Sequence, residues 1–291
     1  MSDTKTDISN PEVLVREKLE ELISFRKDND SKTDFWAKQF DLGLAWVHFP
    51  EGAGGLNVNP KFQLLVNETL RKEGISINNR IANLLGIGMG APTIVEYGTK
   101  DQIDKYLKPM FTAEEIWCQL FSEPGSGSDL ASLSTRAVDD GDGYIVNGQK
   151  VWTTLGHLSK WGLLVTRTDP DVPKHRGLTF FIVDMESEGV DVRPLRQITG
   201  EAEFNEVYFT DVKIPKENVL GEVGDGWRVS LAILMNERVA IGGNVRQRGS
   251  GAPGHLVQLW KDRDIDDPVM KDKLVELSLI HISEPTRLRH I

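Results

Sequence analysis

A polar stretch with two glycines and three serines follows an apolar run near the middle of the chain, where Leu120 to Leu130 reads LFSEPGSGSDL. Backbone N–H groups near Gly125 and Gly127 favour an anion-binding concavity, because glycine lets a ligand approach closely. The serine hydroxyls add hydrogen-bond donors. The same residue types are also typical of a turn that ends a strand. The stretch matches neither a Walker A loop nor a dinucleotide fingerprint, so the residues alone leave both interpretations open.

A second segment, NGQKVWTTLGHLSKW, places Trp152 directly before Thr153 and Thr154. An indole followed by two hydroxyl groups is suited to form the wall and one polar edge of a site for a flat heterocycle. A tryptophan packed inside a strand core is the alternative interpretation, and the segment by itself does not exclude it.

A third segment, LAILMNERVAIGG, has the charged residues Glu237 and Arg238 on an otherwise apolar helical background. Charges this close to a buried face need partners or a perturbed pKa. Exposure of both side chains to solvent is the alternative.

Other candidate sites are not supported. GSGAPG, Gly249 to Gly254, fits the pattern G-x-G-x-x-G, but it follows the polar NVRQR, so no Rossmann site is predicted. The six histidines lack metal-ligand spacing, and no metal is expected. The single cysteine, Cys118, lies in the apolar run IWCQLF and is predicted to be a buried thiol.

The charge balance limits the class of partner. The 291 residues include 34 Lys and Arg against 44 Asp and Glu, a net charge of -10. This charge argues against nucleic acid or an anionic membrane as the main partner. The amino terminus, MSDTKTDISN, lacks the apolar core of a secretory signal, and no window approaches the roughly 20 apolar residues of a membrane span. We therefore expect a cytoplasmic protein of bacterial type.

The elements that position these segments change along the chain. Helical spacing of apolar residues begins after the cap pair Asn10-Pro11 and continues to about Gly98. Short β-branched and aromatic runs then predict an antiparallel barrel or sandwich from roughly Ile116 to Val219. Helix resumes at about Gly226. One side of this last helix is expected to carry Trp227, Leu231, Leu234 and Val239.

Two dipeptides within the strand region, Asp140-Gly141 and Asn147-Gly148, are of the type that closes β-hairpins. Both are therefore predicted to be turns between antiparallel strands.

Five segments, in this order, resemble the acyl-CoA dehydrogenase family: FPEGAGGLNV, WCQLFSEPGSGSDLA, GYIVNGQKVWTTLGHLSKW, FTDVKIPKENVLGEVGDGW and NERVAIGG. The resemblance runs from about Phe35 to Gly243. It implies an α+β multidomain fold with an N-terminal helical domain (1–115), a central antiparallel β-barrel (116–222) and an incomplete C-terminal helical bundle (223–276). It also implies FAD, bound between the barrel and the last domain.

The resemblance further assigns roles to individual residues. Phe121 and Ser122 match the segment along the flavin ring, and Gly127 matches the phosphate side. Trp152 matches the tryptophan that covers the ring, and Thr154 the hydroxyl residue near N5. Ser128 is expected to contact both FAD and acyl-CoA. The full set of expected FAD contacts is Gln119, Phe121, Ser122, Gly127, Ser128, Trp152, Thr153 and Thr154. Gln119 and Phe121 stand at positions that vary in the family.

The implied reaction is the α,β-dehydrogenation of an acyl-CoA thioester to the trans-2-enoyl-CoA by an oxidoreductase acting on a CH–CH group. A carboxylate removes the α-proton while the β-hydrogen leaves as hydride. The family takes its base from the residue before the arginine that matches Arg238, or from a loop late in the C-terminal domain. Glu237 occupies the first of these positions, and Arg238 is an expected substrate contact.

The expected partners are acyl-CoA, an electron-transfer flavoprotein or similar acceptor, and further copies of the chain in a homodimer or homotetramer. A flavin oxidase or monooxygenase on the same fold, and an inactive fragment, are the alternatives to a dehydrogenase.

The end of the chain departs from the resemblance. Leu277 to Arg287, LSLIHISEPTR, resembles the translation of an adapter used in DNA sequencing libraries. We therefore expect that the natural sequence within this chain stops near Glu276 and that residues 277–291 are an artefact. Without the remaining helices of the bundle, this chain is expected to bind FAD poorly.

Overall fold

A computed structural model describes most of the chain. Its two compact units comprise residues 1–240 and 241–291. The described residues are 10–28, 30–75, 83–242, 252–263 and 266–287.

The N-terminal part is helical, as predicted. Its helices are α1 (Pro11–Asp28), α2 (Lys32–Asp41), α3 (Phe62–Lys72), a π-helical turn (Gly86–Gly90), α4 (Ala91–Tyr97) and α5 (Lys100–Phe111). Caps define two of the starts: the Ser31 hydroxyl accepts a hydrogen bond from the Asp34 amide, and Thr99 forms a reciprocal capping box with Gln102. Val15 and Leu22 on α1 are fully buried, which confirms the predicted apolar face.

The helical region was predicted to continue to about Gly98. Residues 76–82 within it lie outside the described residues, and residues 86–97 form the π-helical turn and α4. Close packing occurs at Gly88, where a Cβ atom would lie 2.8 Å from the Cβ of Ala240. Only glycine fits at this contact without a shift of its neighbour.

Seven strands among the described residues form one curled, mixed sheet, which confirms the predicted central β domain. They are β1 (Trp117–Leu120), β2 (Arg136–Asp139), β3 (Gly143–Thr154), β4 (Trp161–Arg167), β5 (Leu178–Asp184), β6 (Val190–Leu195) and β7 (Phe204–Pro215). The strand order is β1-β4-β2-β3-β7-β6, with β5 paired to β4. The sheet is therefore a half-barrel.

The predicted pairing was purely antiparallel, and the sheet differs from this at β4. This strand pairs in parallel with β1 along four residues and with β2 at Arg136 and Arg167. A tight turn fixes the relative direction only of the two strands that it joins. Since β1 and β4 are far apart in sequence, no such turn determines their direction.

The two predicted hairpin turns have different outcomes. Asp140-Gly141 joins the antiparallel strands β2 and β3, as expected. Asn147-Gly148 instead lies inside β3, at a shift in its register with β7. Gly148 has φ +154°, and a Cβ atom there would lie 2.5 Å from the Thr135 hydroxyl oxygen. This glycine therefore serves close packing inside a strand.

The apolar core lies on both faces of the sheet. Trp117, Phe121 and Leu163 pack in a cluster with the N-terminal helices, whereas Leu120 and Leu164 belong to a second cluster. Neighbouring residues of a strand face opposite sides, so a strand buried on both faces is apolar throughout. Cys118 is a fully buried free thiol, as predicted, and burial raises its pKa to about 12.

Helix α6 (Gly226–Gly242) follows the sheet, as predicted, but with a different buried side. Val229 and Ile233 are fully buried, whereas Leu231 is exposed. Val229 and Ile233 are four residues apart and share one helix face, which packs in the core cluster with Phe180. Trp227 and Leu234 are partly buried against the same cluster. The side chain of Val239 lies outside the described residues.

The second unit contains helices α7 (Ala252–Asp262) and α8 (Pro268–Arg287). The predicted artefact segment from Leu277 to Arg287 falls within α8, and the GSGAPG pattern begins outside the described residues. No helix among the described residues has the length and apolar character needed to cross a membrane.

Candidate functional site

The polar loop begins where β1 ends and is closed by its own hydrogen bonds. Glu123 and Ser126 exchange two backbone hydrogen bonds of 2.8 and 3.0 Å around Pro124-Gly125. The hydroxyl of Ser126 donates to the carbonyl oxygens of Asp129 (2.7 Å) and Leu130 (3.3 Å). Ser126, a predicted donor toward a ligand, is therefore buried and holds the loop together.

Gly125, Gly127 and Ser128 form the exposed part of this loop. A Cβ atom on Gly125 or Gly127 would meet no atom within 4 Å, and neither glycine has a left-handed backbone conformation. Local packing and backbone strain therefore do not require glycine at either position. The space in front of them is open to a ligand.

A buried ion pair lies at the base of the loop. The Lys150 ammonium is fully buried and is 2.9 Å from the Glu123 carboxylate oxygen Oε1. Burial by itself raises the pKa of Glu123, but the charge of Lys150 and hydrogen bonds from Thr135 and Ser134 outweigh it and lower the pKa to about 2. Burial lowers the pKa of Lys150 to about 8, against the opposing effect of Glu123.

Trp152 lies on β3 beside this loop. The Val151 amide donates a 2.8 Å hydrogen bond to the Ser122 carbonyl, so Ser122 and Trp152 belong to adjoining backbone segments. The indole is 57% exposed and contacts the Phe204 ring edge-on at 5.9 Å. The interpretation of Trp152 as a core residue is therefore wrong.

The backbone of Trp152 has φ +63°, in the left-handed region that bulky residues rarely adopt. The conformation arises at a bulge: β3 has two residues between Lys150 and Thr153 where β7 has one between Val207 and Asn205. An exposed, strained tryptophan contributes little to packing, and strain of this kind clusters at functional sites.

The two hydroxyl residues after the tryptophan differ in burial. Thr153 is fully buried, and its hydroxyl has no hydrogen-bond partner among the described residues. Its carbonyl accepts a 3.0 Å hydrogen bond from the Asn205 amide group. Thr154 is half-buried and pairs with Phe204 on β7. Of the two side chains, Thr154 is the more accessible.

Gln119 and Phe121 flank the buried strand end. Gln119 is half-buried and pairs with Leu163 of β4. Phe121 is buried, with its ring 5.8 Å from that of Phe180. Its carbonyl accepts a 3.0 Å hydrogen bond from Lys150. The Phe121 ring is thus part of the core, and the neighbouring Ser122 is the half-buried residue at the edge.

Glu237 and Arg238 lie on α6, with Glu237 half-buried and Arg238 exposed. The Arg238 guanidinium lies 3.4 Å from the sulfur of Met235 on the same helix. Among the described residues, no hydrogen bond or ion pair joins either residue to the Ser122–Ser128 loop or to Trp152. The structure therefore groups the loop with Trp152, and carries Glu237 and Arg238 on a separate element.

Three cations that sequence reasoning missed hold the loop in place. Besides Lys150, the Arg167 side chain donates to the carbonyls of Ala131 and Leu133, and Lys174 pairs with Asp129 at 2.8 Å. Lys150 follows the polar stretch Asn147 to Gln149, and Arg167 and Lys174 are distant in sequence, so no local signal marked any of the three.

Two clefts lie away from this face. One of about 460 Å³ is lined by residues of α1 and α2 together with Glu73, Gly74 and Ile75. The other, of about 590 Å³, lies around His157. Neither is lined by Ser122, Ser128 or Trp152, so the loop and Trp152 form an open surface outside these clefts. No group of three or more His, Cys, Asp or Glu suited to a metal occurs within the described part of the chain.

The described chain has a helical N-terminal domain followed by a curled sheet with a glycine-serine loop at its edge. This is the domain organisation of a class of flavoprotein dehydrogenases. Family models match both parts: the acyl-CoA dehydrogenase N-terminal domain over residues 12–114 and the acyl-CoA dehydrogenase middle domain over residues 118–212. The chain belongs to the acyl-CoA dehydrogenase family.

Curated relatives agree with this assignment. The acyl-CoA dehydrogenase FadE34 of Mycobacterium tuberculosis is 43% identical over 242 residues, which are 82% of this chain and 33% of the relative. The acyl-CoA dehydrogenase IpdE1 of the same organism is 38% identical over 235 residues, 80% of this chain and 60% of the relative. The chain thus spans from a third to about three fifths of the length of these relatives.

Solved structures share the fold. An acyl-CoA dehydrogenase from Geobacillus kaustophilus has a TM-score of 0.59 and 33% identity, with 77% of this chain and 63% of that chain covered. The ChsE4–ChsE5 complex from Mycobacterium tuberculosis has a TM-score of 0.57 and 32% identity, with 79% and 61% covered.

Proposed function

We propose that this chain is part of an FAD-dependent acyl-CoA dehydrogenase that converts an acyl-CoA thioester to the trans-2-enoyl-CoA. The observation that carries the proposal is the pairing of an exposed, strained Trp152 with the half-buried Ser122 in a chain of this family. The domain limits at residues 115, 222 and 276 belong to the same proposal.

The residues present fit FAD in three respects. The exposed Trp152 indole offers an apolar plane against which a flat ring system packs. Ser122 at the adjoining edge offers hydrogen-bond donors, with Thr154 half-buried nearby in sequence. The open space before Gly125 and Gly127 admits a phosphate-bearing ligand close to the backbone. FAD, when bound, would supply the acceptor for the hydride, which carries two electrons.

The remaining functions fall to this chain's side chains. Glu237 is proposed to remove the α-proton through its carboxylate, and Arg238 and Ser128 are proposed to contact the acyl-CoA. The half-burial of Glu237 on α6 supports its assignment, because the carboxylate is held by the helix and stays accessible to a substrate. A base from a later loop, as in other family members, is the competing assignment.

The proposed partners follow from the family and the charge. We propose acyl-CoA as substrate, an electron-transfer flavoprotein or similar protein as electron acceptor, and self-association as a homodimer or homotetramer. Location in the cytoplasm is part of the same proposal.

To test the proposal, the protein is expressed from the coding sequence in its source DNA, and its bound flavin and its turnover are measured. We expect bound FAD, turnover of an acyl-CoA with an artificial electron acceptor, and much slower turnover with oxygen alone. Trp152→Ala should weaken FAD binding, whereas Leu64→Ala, at a 65% exposed position on α3, should not. Rapid turnover with oxygen would favour an oxidase, and absence of FAD binding would refute the proposal.

A further inference from the structure

The Lys150 ammonium contacts the residues on both sides of Ser122. It donates hydrogen bonds to the Phe121 carbonyl (3.0 Å) and to the Glu123 carboxylate (2.9 Å). Ser122 is the residue between these two partners, and its own carbonyl accepts from Val151, the residue after Lys150. Three consecutive residues of the loop are therefore fixed by two consecutive residues of β3.

The Glu123 carboxylate joins the start of the loop to the chain that follows it. One oxygen accepts hydrogen bonds from the Ser134 amide and hydroxyl, both at 2.7 Å, and the other accepts from the Thr135 amide at 2.9 Å. These donors lie eleven and twelve residues later in the chain. The exposed loop from Gly125 to Asp129 is thus tied at its base to one buried carboxylate and, through it, to Lys150.

Ser122 keeps its donors free within this arrangement. Among the described residues, neither its amide N–H nor its hydroxyl has a protein hydrogen-bond partner, while its carbonyl is occupied by Val151. Both donors therefore remain available to a ligand beside Trp152. Their direction depends on the backbone between Phe121 and Glu123, and Lys150 bonds to the Phe121 carbonyl and to the Glu123 side chain.

Stability is a weak explanation for such a pair. Removing two charges from water costs free energy that their mutual attraction only partly recovers, and apolar side chains often replace a buried pair without loss. A charge pair nevertheless fixes the directions of several hydrogen bonds, which an apolar contact cannot do. Orientation of the groups that it touches is the property that the pair supplies.

We propose that Lys150 and Glu123 are a positioning pair, which orients the Ser122 donors toward the ligand that packs on Trp152. Neither side chain contacts the ligand in this account, because both are buried beneath the loop. The inference rests on the proposed function for the identity of the ligand as FAD, but its geometric part concerns the ligand-free chain.

The test uses the protein expressed from the natural coding sequence and compares Glu123→Gln, Lys150→Met and the double variant with wild type. Lys108→Met is the matched control, since it removes an exposed ion pair, with Asp41, that is not part of this loop. Amide hydrogen exchange is measured on peptides covering residues 120–124 and 149–153, and FAD affinity by fluorescence titration of folded samples. Melting curves identify the samples that are folded.

We expect exchange at the hydrogen-bonded amides of Glu123 and Val151 to rise about tenfold in the single variants and FAD affinity to fall about tenfold, as for a buried polar group that loses its partner. The exchange of peptides in β6 and the affinity of the control should stay at wild-type values. The visible spectrum of the bound flavin should also change, which a uniform loss of stability would not cause.

Folded variants with wild-type exchange and wild-type FAD affinity would overturn the proposal. So would unfolding of all three variants beside a folded control, since the pair would then be a requirement for folding. If the wild-type chain binds no FAD, the proposed function fails, but the exchange measurement still decides whether the pair fixes the Ser122 backbone.

Discussion

The double variant Glu123→Gln/Lys150→Met should make the stability of the protein less dependent on pH in the acid range. The carboxyl has an ordinary pKa of 4.5 and a pKa of about 2 in the fold. Because the folded pKa is lower, the ionised carboxylate contributes stability above pH 4.5, and this contribution is lost as the pH falls toward 2. A difference of this size corresponds to about 3 kcal/mol in the free energy of unfolding.

The magnitude follows from the surroundings of the carboxylate. It is 6% exposed, pairs with a fully buried lysine and accepts hydrogen bonds from Ser134 and Thr135. About 2 kcal/mol of its contribution should be lost between pH 7 and pH 3. The double variant Glu123→Gln/Lys150→Met lacks both charges, so the excess of wild type over it should be about 2 kcal/mol larger at pH 7 than at pH 3.

The assay is urea unfolding followed by tryptophan fluorescence at pH 7, 5, 4 and 3. Asp41→Asn is the control, because Asp41 pairs with Lys108 in an exposed position. Its difference from wild type should stay below about 1 kcal/mol at every pH. A difference between wild type and the double variant that is the same at pH 7 and pH 3 would refute the reasoning.

Three further changes test the site. Trp152→Asn should leave the free energy of unfolding unchanged or raise it by about 1 kcal/mol in urea titrations, since asparagine tolerates the left-handed conformation, while FAD affinity falls. Gly148→Ala should destabilise by about 1–3 kcal/mol because its Cβ meets Thr135, whereas Gly127→Ala should change stability by less than about 0.5 kcal/mol but weaken FAD binding. Glu237→Gln in the protein from the natural coding sequence should lower turnover by about 100-fold or more without loss of flavin, and wild-type turnover would exclude it as the base.

Local patterns in the sequence predict the elements well. The cap at Asn10-Pro11, the apolar face of α1 and the hairpin at Asp140-Gly141 depend on residues near one another, and each occurs as expected. The parallel pairing of β1 with β4 depends on residues some forty positions apart, where no local signal sets strand direction. Asn147-Gly148 carries a turn signal that packing against Thr135 overrides.

The site was predictable only in part. The glycine-serine loop and the Trp152 segment were recognisable as candidates, but their adjacency was implied by the family resemblance and by no spacing rule. The Glu123–Lys150 pair joins residues 27 positions apart in the sequence. No sequence pattern shows that a Glu within a polar loop is buried, as Glu123 is. Burial and partner choice are tertiary properties, so charge pairs of this kind are visible only once the fold is known.

A crystal structure of the protein with FAD tests the central claim most directly, because the claim concerns which residues face the ligand. The account predicts that the isoalloxazine ring lies against the Trp152 indole, with the Ser122 amide or hydroxyl within hydrogen-bond distance of it. FAD bound elsewhere, or a Trp152 indole that contacts only protein while FAD is present, would contradict the account.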